Sequence, residues 1–335
     1  MKYLELGKTG LNISRMGFGG IPIQQSSQED VTRLLAHLHK NGINFIDSAR
    51  GYTISEERIG VALEGMRDDF VLATKSMARS FEEMERDIQI SLKNFKTDVI
   101  DLYQIHNPSM ADLLKVCSED GALKALLMAK KEGSVRHLGL TAHSLEVFEH
   151  ALTLDWVETI MFPYNIVETQ AEELIKKCKE KQIGFICMKP LAGGAIEDAT
   201  IALRFISQND GVSVVIPGVY KEEEANQNQM AIEDESVLTE QEMEKIAKIR
   251  QDLGTNFCRR CNYCQPCPQK INISGCFLFE GYLSRYGLEN WAIDRYQAMP
   301  VKASACVKCG LCESRCPYQL PIRNMLENCV QKFGE

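Results

Sequence analysis

At 335 residues with 44% hydrophobic side chains, the chain can bury one large core of about 250 residues and still carry a small second module. A net charge of -8 and a pI near 5.5 argue against a nucleic acid or an anionic membrane as partner, because a polyanion needs a basic surface. No run approaches the roughly 18 apolar residues of a membrane span, and the opening MKYLELGKTG lacks a charged region followed by an apolar stretch, so a cytoplasmic protein acting on something small is expected.

From residue 16 onward, short β-rich runs alternate with amphipathic helical stretches. Strands are expected at 16–20, 43–49, 70–76, 99–106, 135–141, 157–165, 184–191 and 212–218. Between them lie helical patterns such as SFEEMERDIQISLKNF, where Phe81, Met84, Ile88, Leu92 and Phe95 recur at three-to-four spacing, and the last helix of the set starts near Glu222. Eight parallel strands, each followed by a helix, close most economically into an α/β (β/α)8 TIM barrel. An open doubly wound sheet is the alternative, but the first strand is not followed by G-x-G-x-x-G. The expected barrel occupies residues 1–232 and a linking segment 233–254, whose helix opens on a Thr239/Glu242 capping box. Residues 255–335 then form a small, mainly α-helical module of different composition, rich in Cys-Pro pairs and aromatics.

Barrels place chemistry at the C-terminal ends of their strands. Four titratable residues stand there: Asp47 and Tyr52 after the second strand, Lys75 ending the third and His106 ending the fourth. An ammonium beside a phenol stabilises phenolate, and a carboxylate holds that ammonium charged, so a Tyr-Lys-Asp set can deliver a proton to a carbonyl oxygen while a histidine orients it. Taken singly, a strand-end Lys or Asp is more often a solvated residue of the barrel mouth, and a lone His a structural one.

Together FIDSARGY, LATKS and DLYQIHNP resemble the signatures of the aldo/keto reductase family, and LGKTGLNISRMGFGG resembles its opening hairpin and first strand. The resemblance spans roughly residues 1 to 230. It implies reduction of a small carbonyl, or oxidation of an alcohol, with a nicotinamide dinucleotide. Tyr52 would be the general acid/base, Lys75 and Asp47 its tuning pair, and His106 the group that orients the carbonyl.

The implied cofactor contacts depart from the family pattern. In HLGLTAHS, Thr141 replaces the family's serine and Ala142 its amide side chain, leaving His143 as a substitute. Met161 stands for a glutamine in MFPYNIV, and Met188 for a stacking aromatic in CMKPLAGG, although ordinary barrel packing accounts for both methionines equally well. Pro190, Leu191, Gly193 and Gly194 complete that segment, whose small residues suit a close approach to a pyrophosphate. In IPGVYKEEEANQNQ, Gly218 and Glu224 occupy the positions of the lysine and arginine that grip the 2'-phosphate of NADP, and Asn228 matches an adenine contact. A carboxylate there repels a phosphate and can accept from a ribose hydroxyl, so NAD(H) is expected over NADP(H); alternatively Glu222 to Glu224 is only a helix's first turn.

Eight of the thirteen cysteines fall in two runs, CRRCNYCQPCP from 258 and CVKCGLCESRCP from 306. The second is a complete C-x2-C-x2-C-x3-C-P run and the first is one residue shorter in its last gap. Three cysteines at this spacing wrap three corners of an iron-sulfur cube, and the Cys-Pro cysteine crosses to the partner cluster. Two 4Fe-4S clusters follow, one on Cys258, Cys261, Cys264 and Cys316, the other on Cys306, Cys309, Cys312 and Cys267. The long helical stretch between the runs makes the module resemble helical ferredoxins, and such clusters suit an anaerobic host. Zinc is the alternative, though a tetrahedral site has no use for all four cysteines of each run.

A nicotinamide gives up two electrons together whereas a 4Fe-4S cluster passes one at a time, and no flavin motif that could split them is evident. Three readings therefore stay open. The chain is a carbonyl reductase whose module covers the barrel mouth or organises the fold, an electron-transfer enzyme served by a redox partner protein, or a redox-sensing binding protein on a barrel scaffold.

Overall fold

A computed structural model describes all residues except Thr255, Cys261 and Pro317. It divides into two compact units: Met1–Asn165 with Thr169–Pro190 and Ala199–Val237, and Ile166–Glu168 with Leu191–Asp198 and Leu238–Glu335.

The first unit opens on an antiparallel hairpin, β1 (Tyr3–Glu5) and β2 (Asn12–Ser14). Eight parallel strands follow: β3 (Phe18–Gly19), β4 (Phe45–Asp47), β5 (Val71–Ser76), β6 (Ile100–Ile105), β7 (Val135–Thr141), β8 (Thr159–Pro163), β9 (Gly184–Met188) and β10 (Val214–Val215). They pair in sequence order. The sheet closes on itself where Met16 bridges Val215, with Gly17 N–H donating to Val215 O at 2.8 Å and Val215 N–H to Arg15 O at 2.9 Å. The expected barrel is thus the observed one, its eight strands lying inside the eight predicted runs.

The intervening helices are α1 (Gln28–Lys40), α2 (Ser55–Ala62), α3 (Phe81–Phe95), α4 (Met110–Val116), α5 (Ala122–Glu132), α6 (Leu145–Ala151), α7 (Glu172–Glu180), α8 (Ala199–Ser207) and α9 (Glu222–Glu233). Local chemistry sets their ends. Ser27 Oγ accepts from Asp30 N–H at the start of α1, and Ser80 with Glu83 forms a capping box on α3. α3 turns Met84, Ile88, Ser91 and Phe95 inward, which is the face its spacing predicts.

Alternation along the strands produces two apolar layers. One packs the outer strand faces against the helices. The other fills the barrel with Phe45, Ala73, Leu102, Met161, Ile186 and Val214, joined by Leu6 and Ile13 of the hairpin region. Gly7, at φ +59°, brings the hairpin turn against β9: a Cβ there would stand 2.3 Å from Gly184 N. The hairpin therefore plugs the N-terminal end of the barrel, and chemistry is left to the opposite rim.

The second unit contains helices α10 (Glu240–Gly254), α11 (Ile273–Ser284), α12 (Glu289–Gln297), α13 (Leu311–Ser314) and α14 (Ile322–Phe333). Thr239 and Glu242 cap α10 reciprocally. Its core gathers Ile271, Ile273, Cys276, Tyr296, Leu326 and Cys329, with Tyr296 stacked on Phe333 at a centroid distance of 3.8 Å. Among the described residues no helix is long and apolar enough to cross a membrane.

Candidate active site and cysteine cavities

Parallel register brings the C-terminal ends of β4, β5 and β6 side by side, with Asp47 opposite Ala73 and Lys75 opposite Gln104. Lys75 points into the barrel, 2% exposed, and its Nζ donates to Asp47 Oδ2 at 2.5 Å and to Ser48 O at 2.7 Å. Asp47 is 3% exposed and its other oxygen accepts from Gln104 Nε2 at 3.2 Å. Burial pushes the Lys75 pKa down and the Asp47 pKa up, and their mutual attraction works against both shifts. The ammonium lies 5.0 Å from the centroid of the Tyr52 ring, and the rings of Tyr52 and His106 meet edge to face at 6.2 Å. All four residues read from the strand ends therefore surround one point on the rim.

His106 is kept well below the usual histidine pKa, first by burial and then by the cations of Lys75, Arg79 and Lys189. It is neutral at pH 7. Its Nδ1 is buried with no hydrogen-bond partner among the described residues. Three residues missing from the sequence-based set thus enter the site. Gln104 could have been read from strand alternation, since Leu102, Gln104 and His106 share one face of β6 and its neighbourhood. Arg79, whose Nη2 donates to His106 O at 2.9 Å, and Lys189 stand on other connections and reach the histidine only through the fold.

The residues proposed to hold a dinucleotide are placed less uniformly. Thr141 ends β7, 2% exposed, with its Oγ1 accepting from Asn107 N–H at 2.9 Å, and the partly buried His143 follows on the next loop. Met161 is 1% exposed inside the barrel and Met188 packs half-buried against the same apolar cluster. Gly218 lies close to the Pro22 ring: a Cβ there would stand 2.6 Å from it, so a side chain would require the ring to shift. Glu224 Oε2 accepts from Tyr220 N–H at 2.9 Å across the first turn of α9, and Asn228 is buried on the same helix. Pro190 is buried and Leu191 half-buried. Gly193 and Gly194 have φ of +69° and +79°; Gly194 N–H is committed to Leu191 O at 2.9 Å, and Gly193 O accepts from Arg285 Nε at 3.0 Å within the second unit.

In that unit the cysteines line two cavities. One is bounded by Cys267, Cys306, Cys309 and Cys312, with Ile273 and Arg323. The other is bounded by Cys258, Cys264 and Cys316, with Arg259, Phe277 and Tyr318. Cys261 lies outside the described residues. Each Cys-Pro cysteine therefore stands with the opposite run, and thiols round a cavity are the soft donors that iron-sulfur chemistry uses.

The profile of the aldo/keto reductase family matches residues 15–200, which is more than half of the chain. The chain belongs to the aldo/keto reductase family. A 4Fe-4S dicluster domain matches residues 257–321 of this family member. It is similar to the L-galactose dehydrogenase of Arabidopsis thaliana, at 28% identity over 214 residues that cover 58% of this chain and 66% of that protein. With the aldo-keto reductase YhdN of Bacillus subtilis it shares 31% identity over 233 residues, covering 60% and 66% respectively. The matched stretch thus spans about two thirds of the length of either relative. Among solved structures, the aldo-keto reductase AKR11C1 from Bacillus halodurans superposes with a TM-score of 0.64 at 24% identity, over 74% of this chain and 96% of that one, a likeness of fold. These comparisons, with the barrel and the strand-end residues, make the protein an oxidoreductase enzyme whose fold implies a nicotinamide cofactor and whose second unit implies 4Fe-4S clusters.

Proposed function

We propose that the enzyme reduces a small carbonyl compound, or oxidises the corresponding alcohol, with Tyr52 as general acid/base. The observation that carries this reading is the convergence of Tyr52, Lys75, Asp47 and a neutral His106 on one rim of the barrel. A bound nicotinamide would supply the two-electron chemistry. Asp47 and Ser48 O fix the Lys75 ammonium beneath the phenol, where it stabilises negative charge developing on the Tyr52 oxygen as the proton leaves. A neutral His106 can give a hydrogen bond to the carbonyl oxygen without competing for that proton. The surrounding apolar barrel keeps the local dielectric low and strengthens both effects.

Tyr52→Phe removes the proton donor and leaves the apolar ring. It should lower turnover by about 10²–10⁴-fold while nucleotide affinity and iron content stay at wild-type values. Turnover that survives this change would defeat the assignment.

Dinucleotide choice follows from the α9 end of the site. With a glycine packed close to the Pro22 ring at 218 and a carboxylate at 224, no cation stands at either position to neutralise a 2'-phosphate. NADH should bind at least about tenfold more tightly than NADPH, equivalent to ~1.4 kcal/mol. Equal or reversed dissociation constants would overturn the preference.

The two cysteine sets would each hold one 4Fe-4S cluster: Cys258, Cys261, Cys264 and Cys316, and Cys267, Cys306, Cys309 and Cys312. In this reading the clusters serve as one-electron groups, or as cross-links that complete the module's core.

A further inference from the structure

Each cysteine cavity has one arginine in its wall, and the two arginines differ in setting. Arg323, at the cavity of Cys267, Cys306, Cys309 and Cys312, has a 45% exposed side chain and two contacts to Glu313 Oε2 at 2.7 and 2.8 Å. Lys308, beside that cavity's Cys309, is exposed as well and pairs with Glu327, while Arg315, next to Cys316 of the other cavity, is also exposed. Arg259, at the cavity of Cys258, Cys264 and Cys316, is 8% exposed. It has no carboxylate within ion-pair distance among the described residues. Its donors go to backbone carbonyls, Nε to Val167 O at 3.1 Å and Nη1 to Gly254 O at 3.2 Å and Phe257 O at 3.5 Å, while its guanidinium lies 3.8 Å over the Tyr318 ring. The neighbouring Arg260 is accounted for separately, by Glu168 at 3.7 Å.

We propose that Arg259 is a potential-setting residue: its buried, carbonyl-fixed positive charge raises the reduction potential of the cluster held by Cys258, Cys261, Cys264 and Cys316. This rests on the two-cluster reading above. Reducing a 4Fe-4S cluster by one electron adds one negative charge to a group already ringed by four thiolates, with no bond made or broken. In a buried site that added charge meets little water, so without a nearby cation the cluster becomes hard to reduce. A guanidinium offsets this cost strongly only where water does not screen it and its position is fixed, and Arg259 satisfies both conditions. At the cavity of Cys267, Cys306, Cys309 and Cys312 the exposed rim lets water do the same work. Cys309 is exposed there and Val307 beside it is 60% exposed, so Arg323 contributes a charge that solvent and salt weaken.

The test is an anaerobic potentiometric titration of the full-length, cluster-loaded chain, followed by electron paramagnetic resonance, with dithionite as reductant. Arg259→Gln should lower one of the two midpoint potentials and leave the other in place. Arg259→Lys, which keeps the charge, should restore most of the lost potential. Arg323→Gln should shift the other midpoint by less, and that shift should shrink at high salt. The proposal fails if Arg259→Gln moves neither midpoint while iron and sulfide stay at wild-type levels, if Arg259→Lys gives no recovery, or if the Arg323→Gln shift is the larger. Iron and sulfide amounting to fewer than two clusters in the wild-type chain would sink the two-cluster reading itself, a separate result from unmoved potentials in a fully loaded one.

Discussion

The barrel and the cysteine module solve the same problem, an interior that must be filled, in opposite ways. In the barrel, Phe45, Leu102, Met161 and Ile186 fill the inside, and charged groups enter only where a partner meets them, as Lys75 meets Asp47 at 2.5 Å. In the module, Cys264, Cys276, Cys312 and Cys329 occupy buried positions, and all the run cysteines among the described residues line two cavities. One unit is completed by its own side chains and the other by what its thiols bind. The difference teaches where stability resides: apolar burial for the first, ligand binding for the second.

Removing the ligands is the most direct way to break that comparison. Anaerobic treatment with an iron chelator should abolish amide protection in α11, α12 and α14, with exchange faster by about 10³-fold or more, while β4 to β9 keep theirs. Hydrogen exchange read by mass spectrometry separates the two sets of peptides. If the module's helices stay protected after iron is lost, its core stands on apolar contacts alone and the contrast collapses. If the strands lose protection too, the barrel depends on the clusters.

The same contrast explains what could be read in advance. Eight strands were legible because a parallel barrel strand, buried on both faces, announces itself as a short β-rich run between turn residues, as VRHLGLT and GFICM do. Asp47, Tyr52, Lys75 and His106 were legible because each ends or follows such a run. Arg79 and Lys189 were not: nothing local marks either residue, and their effect on His106 exists only once separate strand ends share a rim. Gly218 shows a related limit. Sequence reveals a missing cation there, whereas the close approach of the Pro22 ring, which a side chain would have to displace, lies far back in the chain. Met161 carries two meanings at once, a cofactor position by motif and a packing position by alternation, and the structure puts it in the barrel's apolar filling. In the module, short spacing groups the first three cysteines of each run, whereas the exchange of Cys267 and Cys316 between the runs is legible only through the ferredoxin pattern, in which the Cys-Pro cysteine crosses to the partner cluster. Arg259 escaped notice there, since an arginine between two cysteines looks like any solvated residue until its burial is known.

The smallest expected effect concerns pH, and it sharpens the contrast by touching the barrel alone. Glu158 enters β8 with its carboxyl 2.8 Å from His137 Nδ1, accepting from Lys130 Nζ at 2.6 Å and from Leu138 N–H at 2.9 Å. Burial pushes its pKa up, but the hydrogen bonds of His137, Lys130 and Leu138 outweigh that and hold it at about 2. Because the folded pKa lies below the ordinary value of 4.5, the native state favours the carboxylate. The stability this contributes is fully present above about pH 4.5 and is lost as the pH falls toward 2. With the partly exposed Lys130 discounted for screening, its size is ~2 kcal/mol. Glu158→Gln should therefore lower barrel stability by that amount at pH 7, and its denaturation midpoint should converge on wild type as the pH drops through the window. Iron content and cluster potential should not change, since the carboxyl stands on the barrel's own strands. A gap between wild type and variant that persists undiminished at pH 2.5 would mean that shape and packing at this position, rather than the ionised hydrogen-bonded carboxylate, hold the β7 and β8 ends together.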